Sequence, residues 1–209
     1  MARAKREIPH YYLSHDVDIQ AAKDFVSRIN EDRPPESRLL AGVLYVKAVA
    51  TACRKYPEFN GHFENDRFTA SEAVHAGMAV RVRAGGLIAP ALHDVDSVDL
   101  DTLMVKMRDL VNRVRGGRFR ASEFADATIT ITSLGDRGVD RLYGIINPPQ
   151  VAIVGFGATR EIATVVEAKI VARPTITLTL SADHRVSDGH RGALFLRMIS
   201  ERLQNPEAL

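Results

Sequence analysis

The chain has 209 residues, 45% of them apolar, enough to bury one sizeable core, and a single large domain is expected. Lysine and arginine number 28 against 26 acidic residues, a net charge of +2, and the basic residues are scattered, so nucleic acid is not an expected partner. The single cysteine, Cys53, excludes an internal disulfide framework and fits a reducing compartment, and no apolar run approaches the length of a membrane span. The basic start, Met1 to Arg6, has no apolar stretch behind it and does not read as a secretory signal, so a cytoplasmic location is expected.

In chain order, residues 1–7 read as a polar, basic arm. Tyr11 to Asp18 alternates, with Leu13, His15 and Val17 on one face, and predicts a strand. Ile19, Ala22, Phe25, Val26 and Ile29 then recur at helical spacing, with Asp18 suited to the N-cap. Asp32-Arg33-Pro34-Pro35 is a loop. Ser37 caps a long helix through about Tyr56, and Pro57 ends it. Phe59–Phe63 and Arg67–Thr69 flank a Glu64-Asn65-Asp66 turn and predict a hairpin. Ala73 to Val82 reads as a strand with Val74, Ala76, Met78 and Val80 on one face, broken by Gly85-Gly86. Leu87 to Leu92 is a further short strand, and Pro90 puts it at an edge or an irregular position.

Residues 99–115 carry the clearest amphipathic helix, with Leu100, Leu103, Met104, Met107, Leu110, Val111 and Val114 in one stripe and Gly116-Gly117 as its stop. The remainder is mostly strand, over 128–133, 150–155, 164–172 and 175–181. A last helix runs from Gly189 to Gln204. Helices and strands do not alternate strictly, so the fold class expected is α+β, a mixed, mainly antiparallel sheet flanked by helices.

The residues with the most chemical promise lie between the strand at 175–181 and the last helix. His184 stands at that junction, where rigid elements can aim an imidazole, and Asp188 follows just before Gly189. An imidazole of pKa about 6.5 can accept a proton from a thiol of pKa about 8.5. Asp188 can orient the ring or brace the turn. Taken by itself the pair is more simply explained as a structural hydrogen bond. The other histidines make no metal-ligand spacing with Cys53 or the acids. Gly135 and Gly138, like Gly155 and Gly157, are turn glycines without a phosphate-loop context.

The full string changes that balance. Asp183-His184-Arg185-Val186 followed by Asp188-Gly189 resembles the active-site signature of the dihydrolipoamide acyltransferases, the core components of 2-oxoacid dehydrogenase complexes. The shorter His-x-x-x-Asp-Gly is shared with chloramphenicol acetyltransferase. Five fixed positions arise by chance in about one chain in ten thousand at average residue usage. Further blocks resemble the family in its own order: Ile8 to Leu13, Val46 to Ala50 with Lys55 to Asn60, Gly86 to Pro90, Ile129 to Gly135, and Ile146 to Ile153.

The resemblance implies a chloramphenicol acetyltransferase-like fold over residues 8–209, trimeric, with a catalytic site between subunits. It implies acyl transfer between coenzyme A and a dihydrolipoyl thiol. His184 would be the general base, and a hydroxyl from a neighbouring chain would stabilise the tetrahedral oxyanion. The family uses a serine there, and alignment places the role at Thr132, with Ser133 next to it. The two point to opposite faces of a strand, so at most one serves, and Thr132 is favoured. No lipoyl or subunit-binding domain is read in these residues, so the lipoyl group is expected on a separate chain or domain, and a lipoyl-bearing protein and other complex subunits as partners. The helix that usually precedes the family's first strand is not read either. It commonly supplies an arginine for the aspartate of the signature, so Arg3, Arg6 or Arg185 is expected to pair with Asp188. Two other functions stay open: a coenzyme A-dependent acyltransferase with a different small-molecule acceptor, and a non-catalytic trimeric scaffold.

Overall fold

The computed structural model describes residues 2–81, 86–118, 120 and 122–209. Six helices and eleven strands are described: α1 (Ala2–Glu7), β1 (His10–Asp18), α2 (Gln20–Ile29), α3 (Ala41–Lys55), β2 (Gly61–Glu64), β3 (Arg67–Ala70), β4 (Ala76–Met78), β5 (Val80–Arg81), β6 (Leu87–Ile88), β7 (Ala91–Leu92), α4 (Leu100–Arg115), α5 (Ser122–Ala125), β8 (Ile129–Ser133), β9 (Ala152–Phe156), β10 (Arg160–Val166), β11 (Lys169–Asp183) and α6 (Gly189–Gln204). The main sheet has the order β1-β11-β9-β8-β4-β7, with β10 also pairing β11. It is mixed: β8 runs parallel to both β4 and β9, and the other pairs are antiparallel. The expected class is what forms.

The sheet has an apolar face and a polar face, because side chains alternate along each strand. Ile176, Leu178, Leu180 and Ala182 of β11, Val154 and Phe156 of β9, and Ile129 and Ile131 of β8 join the main core. Helix α3 is buried on most sides, its alanines 48, 50 and 52 fully so, and it packs against α6, α4 and α2. Tyr45 of α3 stacks on Phe156 at 4.5 Å, and Phe59 stacks on Phe195 of α6 at 4.4 Å. Phe59, Phe156 and Phe195 are fully buried and costly to truncate, about 3–5 kcal/mol for Phe to Ala.

The opposite face carries Thr177, Thr179, Ser181 and Asp183 of β11 with Thr130 and Thr132 of β8, all buried. A long irregular segment over 139–150 covers it, and its backbone is tied down by side chains. Thr179 donates to the Leu142 carbonyl, and the Ile146 amide donates to Nε2 of His10 at 3.1 Å. Ala4 of α1 packs there in a small second cluster with Ile8, Ile146 and Ile153.

Several expectations are corrected. Residues 2–7 form a helix, not a loose arm, because Ala4 is buried and Arg3 pairs with Glu7 one turn on. Ser37 does not cap the long helix; it belongs to a short 3-10 turn, and α3 starts at Ala41 after Leu40. The N-cap of α2 is Ile19, while Asp18 accepts from the Gln20 amide at 2.8 Å. The strand expected over 164–172 is a hairpin, turning at Glu167 and Ala168, both at positive φ. The strand expected from Ala73 divides into β4 and β5, and its end, Val82, lies outside the described residues, as does Gly85. The hairpin at 61–70, the stop at Gly117 and the span of α6 form as expected.

Candidate active site

The junction between β11 and α6 is a turn built by Asp183. Its carbonyl accepts from the amides of Val186 and Ser187 at 3.0 and 3.1 Å. Its carboxylate is fully buried and takes the guanidinium of Arg185 in a fork, with contacts of 2.9, 3.1 and 2.6 Å, and the Arg185 amide at 3.0 Å. Arg185 also lies 3.9 Å over the ring of Phe63. The hydrogen bonds to Asp183 raise the guanidinium pKa further. Arg185 is therefore committed to Asp183 and is not the partner of Asp188. A buried charge held this way fixes a geometry more than it adds stability.

His184 is exposed between these two anchors. Its amide donates to the Pro9 carbonyl at 2.9 Å, which ties the turn to the chain entering β1. The imidazole meets Tyr11 edge-on, with ring centres 5.2 Å apart. Tyr11 stands opposite Ala182 in the register and is partly buried against the core. Burial pushes its phenol up to about 12, and its oxygen lies 2.8 Å from Oγ of Ser187. Neither Tyr11 nor Ser187 is marked by residue type. The signal available is the alternation of β1, which puts Tyr11 on the face that the turn must cross.

Asp188 is the N-cap of α6 and accepts from the Arg191 amide at 2.9 Å. That bond, then the His190 amide and the two nearby histidines, holds its carboxyl below the ordinary range. Of the arginines expected for Asp188, Arg3 pairs with Glu7 and Arg185 with Asp183, and what the carboxylate meets is the Arg191 amide. Arg191 itself pairs with Glu58 at 2.5 Å and lies 4.9 Å over the Tyr56 ring, so α6 begins against a fixed support.

Thr132 and Ser133 end β8. Thr128, Thr130 and Thr132 share the polar face; Thr128 donates to Asn60 at 2.5 Å and Thr130 to Gln150 at 2.6 Å. Thr132 is 9% exposed. Ser133 is on the other face, exposed, and its Oγ accepts from the Gly135 amide at 3.3 Å.

The structure does not bring His184 together with either hydroxyl. Thr132 pairs with Gly155, and Gly155 with Thr179, four residues before Asp183. At strand spacings this sets Thr132 about 16 Å from Asp183, two strands across and four residues along. The two groups also face opposite sides, His184 towards Tyr11 and Thr132 towards the Thr130 side. A site using both requires a second copy of the chain. Among the described residues no cluster of His, Cys, Asp or Glu could hold a metal ion, and no helix is long and apolar enough to cross a membrane.

Known proteins share this sequence pattern and this fold. The family described as 2-oxoacid dehydrogenases acyltransferase (catalytic domain) matches residues 1–209. The dihydrolipoyllysine-residue acetyltransferase component of the pyruvate dehydrogenase complex of Zymomonas mobilis is 31% identical over 207 residues, which are 99% of this chain and 47% of that protein. The chain thus spans about half the length of the curated relatives it matches. Among solved structures, the dihydrolipoamide acetyltransferase of Azotobacter vinelandii superposes with a TM-score of 0.90 at 28% identity, covering 99% of this chain and 86% of that one. A chloramphenicol acetyltransferase shares the fold, with a TM-score of 0.60 at 16% identity over 95% of this chain and 91% of that one.

Proposed function

The chain belongs to the 2-oxoacid dehydrogenase acyltransferase family through its catalytic domain, and from that premise we propose that it moves an acyl group between coenzyme A and a dihydrolipoyl thiol. The observation that carries the reading is an exposed imidazole held at a rigid strand-to-helix turn. His184 takes the proton from the attacking thiol. The thiolate adds to the thioester carbonyl carbon, forming a new C–S bond and a tetrahedral oxyanion. The Thr132 hydroxyl of a neighbouring copy donates to that oxyanion. Collapse breaks the original C–S bond, and the departing thiolate recovers the proton from the His184 imidazolium, so no oxidant or metal is consumed.

The spacing of the site supports these roles. In the Azotobacter protein a serine, a histidine and an asparagine have been investigated for their role in the catalytic mechanism. The histidine lies 52 residues after the serine and four before the asparagine, the separations of Thr132 from His184 and of His184 from Asp188 here. On this reading Thr132 keeps the hydroxyl donor and adds a methyl group, Ser133 is the neighbouring turn residue, and Asp188 caps the helix that carries the turn.

The distance between the two halves of the site calls for a second copy of the chain. We infer a closed homotrimer, in which each copy lends Thr132 to its neighbour's His184. The lipoyl group reaches the site on a separate chain or domain, with the subunits of a dehydrogenase complex as partners. The cytoplasm is the compartment that suits the one free, buried thiol of Cys53.

Acetyl transfer from acetyl-CoA to dihydrolipoamide tests the reading. Wild type should turn over, and His184→Ala should lose about a thousandfold. Transfer to another acceptor only would replace the lipoyl acceptor. A folded trimer inert towards every acyl-CoA would leave a scaffold.

A further inference from the structure

We propose that Ser187 is a positioning residue for His184, acting through Tyr11. Ser187 lies inside the turn, between His184 and Asp188, and its side chain is turned inward, with only 9% of the residue exposed. Its amide is already used on the Asp183 carbonyl, so the main chain of the turn does not depend on the hydroxyl. Its Oγ instead reaches the Tyr11 oxygen at 2.8 Å. Tyr11 is the ring against which the imidazole rests, at 5.2 Å and 66°.

The Tyr11 hydroxyl occupies a slot with two sides. Ser187 is one side. Gly192, in the first turns of α6, is the other: a Cβ there would come within 2.9 Å of the Tyr11 oxygen and 2.8 Å of Leu13. The glycine leaves room for the phenol, and the serine fixes where in that room it sits. Both hydroxyls stay protonated across the physiological range, with the phenol's pKa pushed up by burial, so the bond between them persists. His184 has its backbone anchored separately, on Pro9. The tie from Ser187 therefore acts on the direction of the imidazole and not on the path of the chain.

The consequence rests on the acyl-transfer reading, but the geometry does not. An imidazole released into three χ1 wells and two broad χ2 orientations holds the productive direction about one-sixth of the time. Ser187→Ala should lower kcat about sixfold with KM unchanged. Tyr11→Phe should give the same loss. The double variant should lose about sixfold again, not the product of the two, because both remove one bond. Ser187→Thr, which keeps the hydroxyl, should recover most of the rate.

Carbethoxylation followed by peptide mass spectrometry gives a second readout that needs no turnover. His184 should be modified faster in Ser187→Ala and in Tyr11→Phe, while exposed His190 on α6 is modified at the wild-type rate. Unchanged kcat together with unchanged His184 modification would overturn the proposal, and so would a double variant whose losses multiply. If wild type moves no acyl group to any thiol, the function fails, and the modification rates still decide the role of Ser187.

Discussion

Thr132 lies near the end of β8 and His184 follows the last residue of β11, yet the two cannot meet within one chain: they face opposite sides of the sheet and lie two strands apart, at different levels. A mixture of two inactive variants tests whether neighbouring copies supply the two groups. Trimers assembled at random from equal amounts of His184→Ala and Thr132→Val chains should regain about a quarter of wild-type activity, since each site needs one intact group from each kind of chain. If both groups came from the same chain, no mixture would regain anything. Co-expression with two affinity tags, followed by the dihydrolipoamide assay, makes the measurement.

The choice between the two hydroxyls is separable by substitution. Thr132→Val keeps shape and removes the donor, and turnover should fall about a hundredfold with the fold intact. Ser133→Ala should leave turnover near wild type, because Ser133 Oγ accepts from the Gly135 amide and lies on the other face of the strand. The reverse ranking of the two rates would move the oxyanion role to Ser133.

Asp188 gives a pH-dependent prediction. Its carboxylate caps α6, and its folded-state pKa is lowered by the Arg191 amide, then by the His190 amide and the adjacent histidines. A carboxyl with a depressed folded-state pKa contributes stability above its unfolded value and loses it as pH falls through the folded value. Asp188→Asn keeps the side-chain oxygen that accepts from Arg191, so at neutral pH it should retain the fold and most activity. It should also remove this residue's share of the acid-induced loss. Asp188→Ala should lower the melting temperature at pH 7 and lower it by less at pH 3, relative to wild type. Thermal melts at the two pH values distinguish capping from a direct part in the chemistry.

Much of this fold is legible in the sequence because periodicity reports burial. The stripe of α4 follows from which of its side chains are buried, and the alternation in β8 and β11 separates those that join the apolar core from those on the polar face, which is buried too. The hairpin at Glu167 and Ala168 is hidden because both residues adopt positive φ without the glycine or asparagine that announces such a turn. The segment over 139–150 has no period, because its backbone is held by single bonds from Thr179 and His10 instead of a ladder. At the site, the chemistry of His184 can be read from residue type. Its supports cannot: Arg185 is equally suited to Asp188 or Asp183 until the turn puts it on the buried carboxylate.

That buried carboxylate sets the cost of altering the turn. Asp183 is fully buried, and Arg185, about one-third exposed, is its counter-charge. Removing the guanidinium strands a carboxylate with only the Arg185 amide left, whatever side chain follows. Arg185→Met should therefore destabilise the chain by about 3 kcal/mol, the low end for breaking a buried pair, since one partner is partly solvated. Arg185→Lys should recover only part of this, because an ammonium supplies neither the fork to both carboxylate oxygens nor the flat stack on Phe63. Asp183→Asn with Arg185→Met should cost less than Arg185→Met alone, because no unpaired charge is left inside. Urea unfolding of the three variants gives the order, and equal stability of Arg185→Met and wild type would show that the turn does not depend on this pair.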